Sequence, residues 1–273
     1  DPVDLDVTID VDPAMGNAFQ EAAAHITFVF SVEDNELPPP PLELDKHDAY
    51  ICGYPDRTVK PERQITRAEV ATIFYRLLQD EARENVWSRT NSYSDVASGV
   101  WYNSAVSTLT NAGILTGYED GTFRPDAPIT RAEFATIAAR FYHAPEVTGD
   151  AFSDISGSWA REYINRAAAR GLIDGYEDGT FRPNQNIKRD EAMKIINKVL
   201  FRTPDKEHFL PDMITWPDNS DTDAWYYTDV QEATNNHDYE RVDNTSPETW
   251  TKITQARDWK ALEAELAQKY PNR

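Results

Sequence analysis

Three arginines, Arg67, Arg131 and Arg189, occupy the same place in three similar stretches. These read Ile-Thr-Arg-Ala-Glu at 65–69 and 129–133, and Ile-Lys-Arg-Asp-Glu at 187–191. Each arginine directly follows an N-cap position. A cation is unfavourable beside the positive end of a helix dipole, so placing it there three times asks for a reason. A guanidinium next to free backbone N–H groups makes a carboxylate site with bidentate geometry. The competing role is an ion pair with a neighbouring acid, such as an aspartate of the next repeat.

The elements that must carry these arginines are internal repeats. The stretch from Tyr93 aligns with the stretch from Phe152: Asp95 with Asp154, Trp101 with Trp159, Gly113 with Gly171 and Arg131 with Arg189. From the tryptophan onward every match is offset by 58 residues without a gap. Each unit reads as helix, turn, helix. The first helix starts near the tryptophan and carries Val106 and Leu109, or Ile164, Ala167 and Ala168, at helical spacing. Gly113 and Gly171 stand where it should end in a positive-φ residue. The turn Gly-Tyr-Glu-Asp-Gly-Thr-Phe-Arg-Pro, from Gly117 and again from Gly175, leads to the second helix. That helix opens with a capping box, Thr66 with Glu69 and Thr130 with Glu133. Lys188 replaces the threonine before Glu191, which should weaken the third cap by roughly 1 kcal/mol.

A looser turn, Gly-Tyr-Pro-Asp-Arg-Thr-Val-Lys-Pro from Gly53, has Arg57 where the others have glycine and no tryptophan helix before it. The missing half stands near the other end of the chain. There Asp218 precedes Trp225-Tyr226, Val230 and Thr234-Asn235, with the same offsets from tryptophan as Trp101-Tyr102, Val106 and Thr110-Asn111. The spacing predicts a split unit, closed like a clasp by the C-terminal segment.

Composition sets the outer limits. The chain has 273 residues, 40% of them apolar, and a formal charge of −20. Residues 1–48 hold 12 acids and one lysine. Such a balance argues against nucleic acid and against loose adhesion to anionic lipid or wall polymer, so an acidic ligand must be met by locally placed cations. One cysteine, Cys52, permits no intrachain disulfide. No apolar run reaches membrane-spanning length, so no membrane insertion is expected. No signal peptide opens the chain, and its start at Asp-Pro-Val reads as a fragment or a mature form.

The pattern aromatic-x-Asp, Trp, Gly, Gly-Tyr-x-Asp-Gly-Thr-Phe-x-Pro, Ile-Thr-Arg-Ala-Glu resembles the S-layer homology family over about residues 49–236. The resemblance implies a mainly α fold, a pseudo-threefold arrangement of helix-turn-helix repeats around a central helical bundle, with ligand grooves between neighbours. It implies non-covalent anchoring to a secondary cell-wall polysaccharide, often carrying pyruvylated sugars, or to a modified peptidoglycan, at the bacterial surface. A pyruvate ketal carries the carboxylate that the arginines are suited to bind.

On that footing the candidate ligand residues are Arg67, Arg131 and Arg189, Trp101, Trp159 and Trp225, Asp95, Asp154 and Asp218, Tyr54, Tyr118 and Tyr176, and Gly117 and Gly175. The tryptophans can stack on a sugar ring or anchor the start of the first helix in the core, and packing is favoured for most of each ring. The tyrosines are read mostly as packing residues whose hydroxyls can reach sugar. The three aspartates suit capping of the tryptophan helix, with a sugar hydroxyl as second partner. Asp120 and Asp178 are turn residues, since the acidic ladder and distal glutamate of a calcium loop are missing. Arg124 and Arg182 add positive potential beside the turn or form solvated ion pairs.

The boundaries expected are 1–36 as the end of an upstream β-rich region with a short β segment, and 37–48 as a Pro-rich acidic linker. Then come 49–85 (second half of unit 1), 86–144 (unit 2), 145–205 (unit 3), 206–236 (first half of unit 1) and 237–273 (a helical tail with Trp259, Leu262 and Leu266 on one face). His25, His47, His143, His208 and His237 are scattered without metal-ligand spacing, and no nucleophile or phosphate-loop motif is present. No cofactor, metal or catalytic residue is therefore expected. Three functions are carried: a carbohydrate-binding wall anchor, a structural protein assembling with S-layer neighbours, and the anchor of a wall-hydrolysing enzyme whose catalytic part lies upstream.

Overall fold

A computed structural model describes residues 39–142, 147–243 and 245–273. The expected N-terminal β segment, within 1–36, lies outside the described residues, as do His25 and His143.

The described chain is mainly helical. Its α-helices are α1 (Arg67–Leu77), α2 (Asp80–Val86), α3 (Asn103–Asn111), α4 (Arg131–Arg140), α5 (Arg161–Ala169), α6 (Arg189–Val199), α7 (Tyr227–Thr234) and α8 (Trp259–Lys269). Strands β1 (His237–Glu240) and β2 (Thr249–Ile253) pair antiparallel between α7 and α8. This hairpin and α2 are elements that the repeat pattern does not foretell.

Local chemistry explains where the central helices begin. Thr66 and Thr130 accept the N–H groups of Glu69 and Glu133, whose carboxylates accept the threonine N–H groups at 2.9 Å. At α6 only half of the box survives. Glu191 accepts the Lys188 N–H at 2.9 Å, but the lysine side chain has no acceptor to return. Asp190 Oδ1 accepts the Glu191 N–H instead, at 2.7 Å.

The segments leading into α1, α4 and α6 interlock in a closed cycle. Ile65 N–H donates to Ile187 O at 3.2 Å, Ile187 N–H to Ile129 O at 3.0 Å, and Ile129 N–H to Ile65 O at 3.1 Å. All three isoleucines are buried, each worth roughly 1.5–3 kcal/mol in transferred apolar surface. Around this axis α1 packs on α3, α4 on α5 and α6 on α7. Buried Val106, Leu109, Ile164, Ala167, Val230 and Ala233 form the inner faces of the outer helices.

The C-terminal segment meets the N-terminal one directly. Ala233 O accepts the N–H groups of Tyr50 and Ile51 at 3.1 and 3.0 Å. α8 is capped by Asp258 and buries Leu266, with Leu262, Ala267 and Tyr270 packed on the core. The Trp259 ring lies under the guanidiniums of Arg76, Arg83 and Arg257.

Candidate functional site

Each repeat turn is held by its own aspartate. Asp120 and Asp178 accept the N–H groups of Thr122 and Thr180 at 3.0 Å, and pair with Arg124 and Arg182 at 2.8 and 2.9 Å. The guanidiniums of these arginines lie over Tyr118 and Tyr176, 4.0 and 3.8 Å from the ring centroids. They form solvated ion pairs, the second of the two roles expected. Arg57 takes φ 62° where Gly121 and Gly179 have φ 77°, so the first turn keeps its shape at the expense of a strained residue.

Asp95, Asp154 and Asp218 do not cap the tryptophan helices. Their carboxylates reach across to the backbone after the turn. Asp95 accepts Phe123 and Arg124 N–H at 2.8 and 2.7 Å, and Asp154 accepts Phe181 and Arg182 N–H at 2.8 Å each. Asp218 accepts Val59 and Lys60 N–H at 3.0 and 2.7 Å. The recipients Lys60, Arg124 and Arg182 have positive φ of 50, 56 and 57°. Charge-assisted bonds at these kinks offset the backbone strain.

Gly117 and Gly175 are glycine for a packing reason. A Cβ there would run into the rings of Tyr93 and Phe152, and one at Gly53 into Trp216. Trp216 therefore fills the aromatic position of the split unit, as Tyr93 and Phe152 do in the others.

The arginines are buried and engaged. Arg67 donates to Phe123 O (2.8 Å), Thr116 O (3.2 Å) and Glu133 Oε1 (2.7 Å). Arg131 repeats this with Phe181 O (2.8 Å), Asp174 O (3.3 Å) and Glu191 Oε1 (2.8 Å). Arg189 donates to Val59 O at 2.9 Å and Glu69 Oε1 at 3.3 Å. The paired acid is thus the capping glutamate of the next repeat, not an aspartate. Tyr54, Tyr118 and Tyr176 donate to the same glutamates at 2.8, 2.8 and 3.2 Å. Partial burial first, then the glutamate contacts, raise the pKa of all three phenols, so they remain donors.

The tryptophans depart from expectation. Trp101, Trp159 and Trp225 are 61, 66 and 55% exposed. The core place at the head of the outer helix goes to the following residue: Tyr102 and Ala160 are buried, and Tyr226 packs on the core.

Two grooves lie beside these rings. One, of about 800 Å³, is lined by Arg67, Gly117, Tyr118, Glu133, Arg140 and Trp159, with Arg124, Glu119 and Asp120 at its edge. The other, of about 240 Å³, is lined by Arg131, Gly175, Tyr176, Glu191, Lys194, Lys198, Asp174 and Trp225. The first balances three cations with three acids. The second has three cations against Asp174 and Glu191, a cationic patch on a strongly acidic chain. Lys198 and Lys194 lie 2.6 and 3.7 Å from Asp174. Against the upward push of partial burial, the two lysines hold that carboxyl below its usual range.

Lys194 Nζ stands 5.5 Å from the Trp225 ring centroid. The two lysines and Arg140 were missed from sequence. Their signal was helical phase, since 191, 194 and 198 share one face of α6, as 133, 137 and 140 do on α4. The structure also joins residues that looked scattered: the rings of His47 and His237 meet, with centroids 5.0 Å apart.

Comparison with known proteins agrees with this repeat geometry. A family model described as the S-layer homology domain matches residues 47–71, 92–135 and 151–193. The chain is 38% identical over 206 residues to Cell surface glycoprotein 1 of Acetivibrio thermocellus, covering 71% of this chain and 9% of that protein. It is 36% identical over 206 residues to the cellulosome-anchoring protein of the same organism, covering 73% and 45%. An S-layer protein of Bacillus licheniformis is 32% identical over 150 residues, covering 54% and 17%. The chain spans less than half the length of each of these relatives.

Proposed function

Since the chain belongs to the S-layer homology family, we propose that it is a non-catalytic anchoring module of the bacterial cell surface. It binds an acidic cell-wall glycan, with a pyruvylated secondary polysaccharide as the favoured ligand. The observation that carries this reading is the groove of Trp225. An exposed indole stands beside Lys194, Lys198 and Arg131, so a sugar ring can stack while its carboxylate meets cationic donors. The Trp159 groove offers the same parts with a balanced charge, and therefore binds an acidic sugar more weakly.

Arg131 and Arg67 line the grooves as nearly buried cations, each held by its glutamate pair. Tyr118 and Tyr176, Gly117 and Gly175 shape the groove wall. Asp95, Asp154 and Asp218 set the turn from below. By repeat register, Trp101, Arg189 and Tyr54 are the counterparts that would form a third position.

The segment 206–236 serves as the first half of the split unit. Support comes from Asp218 on Val59 and Lys60, and from Trp216 against Gly53, both matching the other two units. Weak grooves acting together would give firm attachment through effective concentration.

The test is co-sedimentation with purified cell walls, before and after the secondary polysaccharide is stripped. Binding lost on stripping supports the polysaccharide. Binding retained points to peptidoglycan. No binding to either would overturn the anchoring role and leave assembly with S-layer neighbours.

A further inference from the structure

Outside the grooves, the hairpin that follows α7 encloses a buried cluster built from distant parts of the chain. His47 Nδ1 lies 3.1 Å from His237 Nε2, 3.1 Å from Glu232 Oε1 and 3.5 Å from Glu248 Oε2. His237 Nε2 lies 3.3 Å from Glu232 Oε2. All four side chains are buried, and one ligand atom from each lies within 4.8 Å of the others. We propose that His47, Glu232, His237 and Glu248 bind one divalent transition-metal ion, zinc by its donor set.

Proton counting leads to this site. His237 Nδ1 sits 3.2 Å from Asn235 O, a carbonyl that can only accept, so Nδ1 carries the proton and Nε2 is a bare lone pair. That leaves at most one N–H, on His47 Nδ1, for His237 Nε2 and two carboxylates. Glu232 Oε2 and Glu248 Oε2 have no hydrogen-bond partner among the described residues. A buried acceptor left so costs roughly 1–3 kcal/mol, more if charged. One cation at the centre gives His47 Nδ1, His237 Nε2 and one oxygen of each glutamate a common partner, with the His47 proton then on Nε2.

The cluster is close to the size that a small tetrahedral ion requires. Metal–ligand bonds of about 2.0–2.1 Å give ligand–ligand edges of about 3.3–3.4 Å. Four separations run from 3.1 to 3.5 Å, with Glu232 turning Oε1 to His47 and Oε2 to His237, while the set as a whole spans up to 4.8 Å, so the side chains must draw in around an ion. Two imidazoles and two carboxylates suit zinc better than calcium or magnesium, which take mostly oxygen.

Outer hydrogen bonds hold Glu232, His237 and Glu248 in place, and stacking alone holds His47, whose Nε2 has no partner among the described residues. Glu248 Oε1 accepts Thr203 N–H at 3.1 Å and Arg241 Nη1 at 2.9 Å, which turns Oε2 inward. Arg202 Nη1 lies 3.3 Å from Glu232 Oε1. Tyr239 stacks on His47 at 3.8 Å and Trp250 on His237 at 3.9 Å. The two guanidiniums already balance the two carboxylates, so their repulsion weakens the site relative to one without them.

The ligands join the stretch before the first repeat turn to the end of α7 and the hairpin. The backbone already pairs there, His237 N–H to His47 O at 3.2 Å and Glu248 N–H to Thr203 O at 3.0 Å. A bound ion would staple the two ends of the repeat ring.

The experiment strips the full chain with a chelator, then titrates it with Co²⁺ and Zn²⁺ alone. The expected result is one Co²⁺ per chain with a tetrahedral absorption spectrum, displaced by one equivalent of Zn²⁺, and a higher melting temperature with either ion. His237→Gln and Glu248→Gln should each weaken binding by at least about 10-fold, while the exposed His208→Ala leaves it unchanged. If the ligand variants fail to fold, the wild-type spectrum decides alone. No saturable binding, an octahedral Co²⁺ spectrum, or equal loss in His208→Ala would overturn the site.

Discussion

The Asp218 carboxylate accepts the backbone N–H of Lys60 at 2.7 Å across 158 residues of sequence. It holds the split unit as Asp95 and Asp154 hold the continuous ones. Asp218→Ala strands two backbone donors at a positive-φ kink and should cost about 2–3 kcal/mol. Chemical denaturation of Asp218→Ala beside Asp95→Ala should give similar losses. An unchanged midpoint for Asp218→Ala alone would mean that the C-terminal segment does not complete the ring.

Truncation after Phe201 removes Asp218 and Ala233 together. Hydrogen exchange should then speed up at Tyr50, Ile51, Val59 and Lys60, whose N–H groups these residues accept. Unaltered protection at those four amides would sink the clasp.

Arg57 holds φ 62° where two sister turns use glycine. Arg57→Gly should therefore stabilise the chain by about 1 kcal/mol, visible as a rise of about 2–4 °C in melting temperature. A fall would show that the arginine side chain contributes more than its backbone strain costs.

Asp190 is buried at the head of α6, and burial above all pushes its carboxyl up to about 6. The native state keeps this proton up to about pH 6, whereas the unfolded chain loses it near the ordinary aspartate value of 3.8. The native state thus binds more protons between those values, and stability must fall as pH rises through them. Asp190→Asn mimics the protonated form and still accepts the Glu191 N–H. It should match wild type near pH 4 and exceed it by on the order of 2 kcal/mol above pH 7. A difference independent of pH would show that Asp190 does not titrate in this window.

These contrasts mark what a sequence can disclose. The capping boxes at Thr66 and Thr130 and the positive φ of Gly113 and Gly171 (70 and 69°) depend on neighbours within a turn of helix, and they were legible. The arginine pairing was legible in kind but not in partner, because Glu133 and Glu191 also belong to a local cap that hid their second role. The aspartates were misread for a similar reason. A cap was the nearest use for Asp95, but its true recipients lie 28 and 29 residues away.

Tryptophan exposure was hidden by composition, since a large apolar ring at a helix start suggests core and the adjacent Tyr102 or Ala160 takes that place. The His47–His237 contact spans 190 residues, beyond any spacing rule. The α2 helix and the hairpin carry no repeat signature.

Exposure also separates binding from stability. Trp225→Ala should change stability by less than about 0.5 kcal/mol. Arg131→Ala should cost about 2–4 kcal/mol, since it leaves Glu191 and two carbonyls without their donor. Thermal melts of both variants check this, and a large loss for Trp225→Ala would return that ring to a packing role.

The central claim is that the cationic Trp225 groove receives the acidic glycan. Calorimetric titration of soluble, pyruvylated wall-polysaccharide fragments into wild type, Trp225→Ala, Lys194→Ala and Trp101→Ala tests it most directly. The account predicts at least about 10-fold weaker binding for Trp225→Ala and Lys194→Ala, a smaller loss for Trp101→Ala, and the same ranking at equal stability. Wild-type affinity in both Trp225→Ala and Lys194→Ala would contradict it.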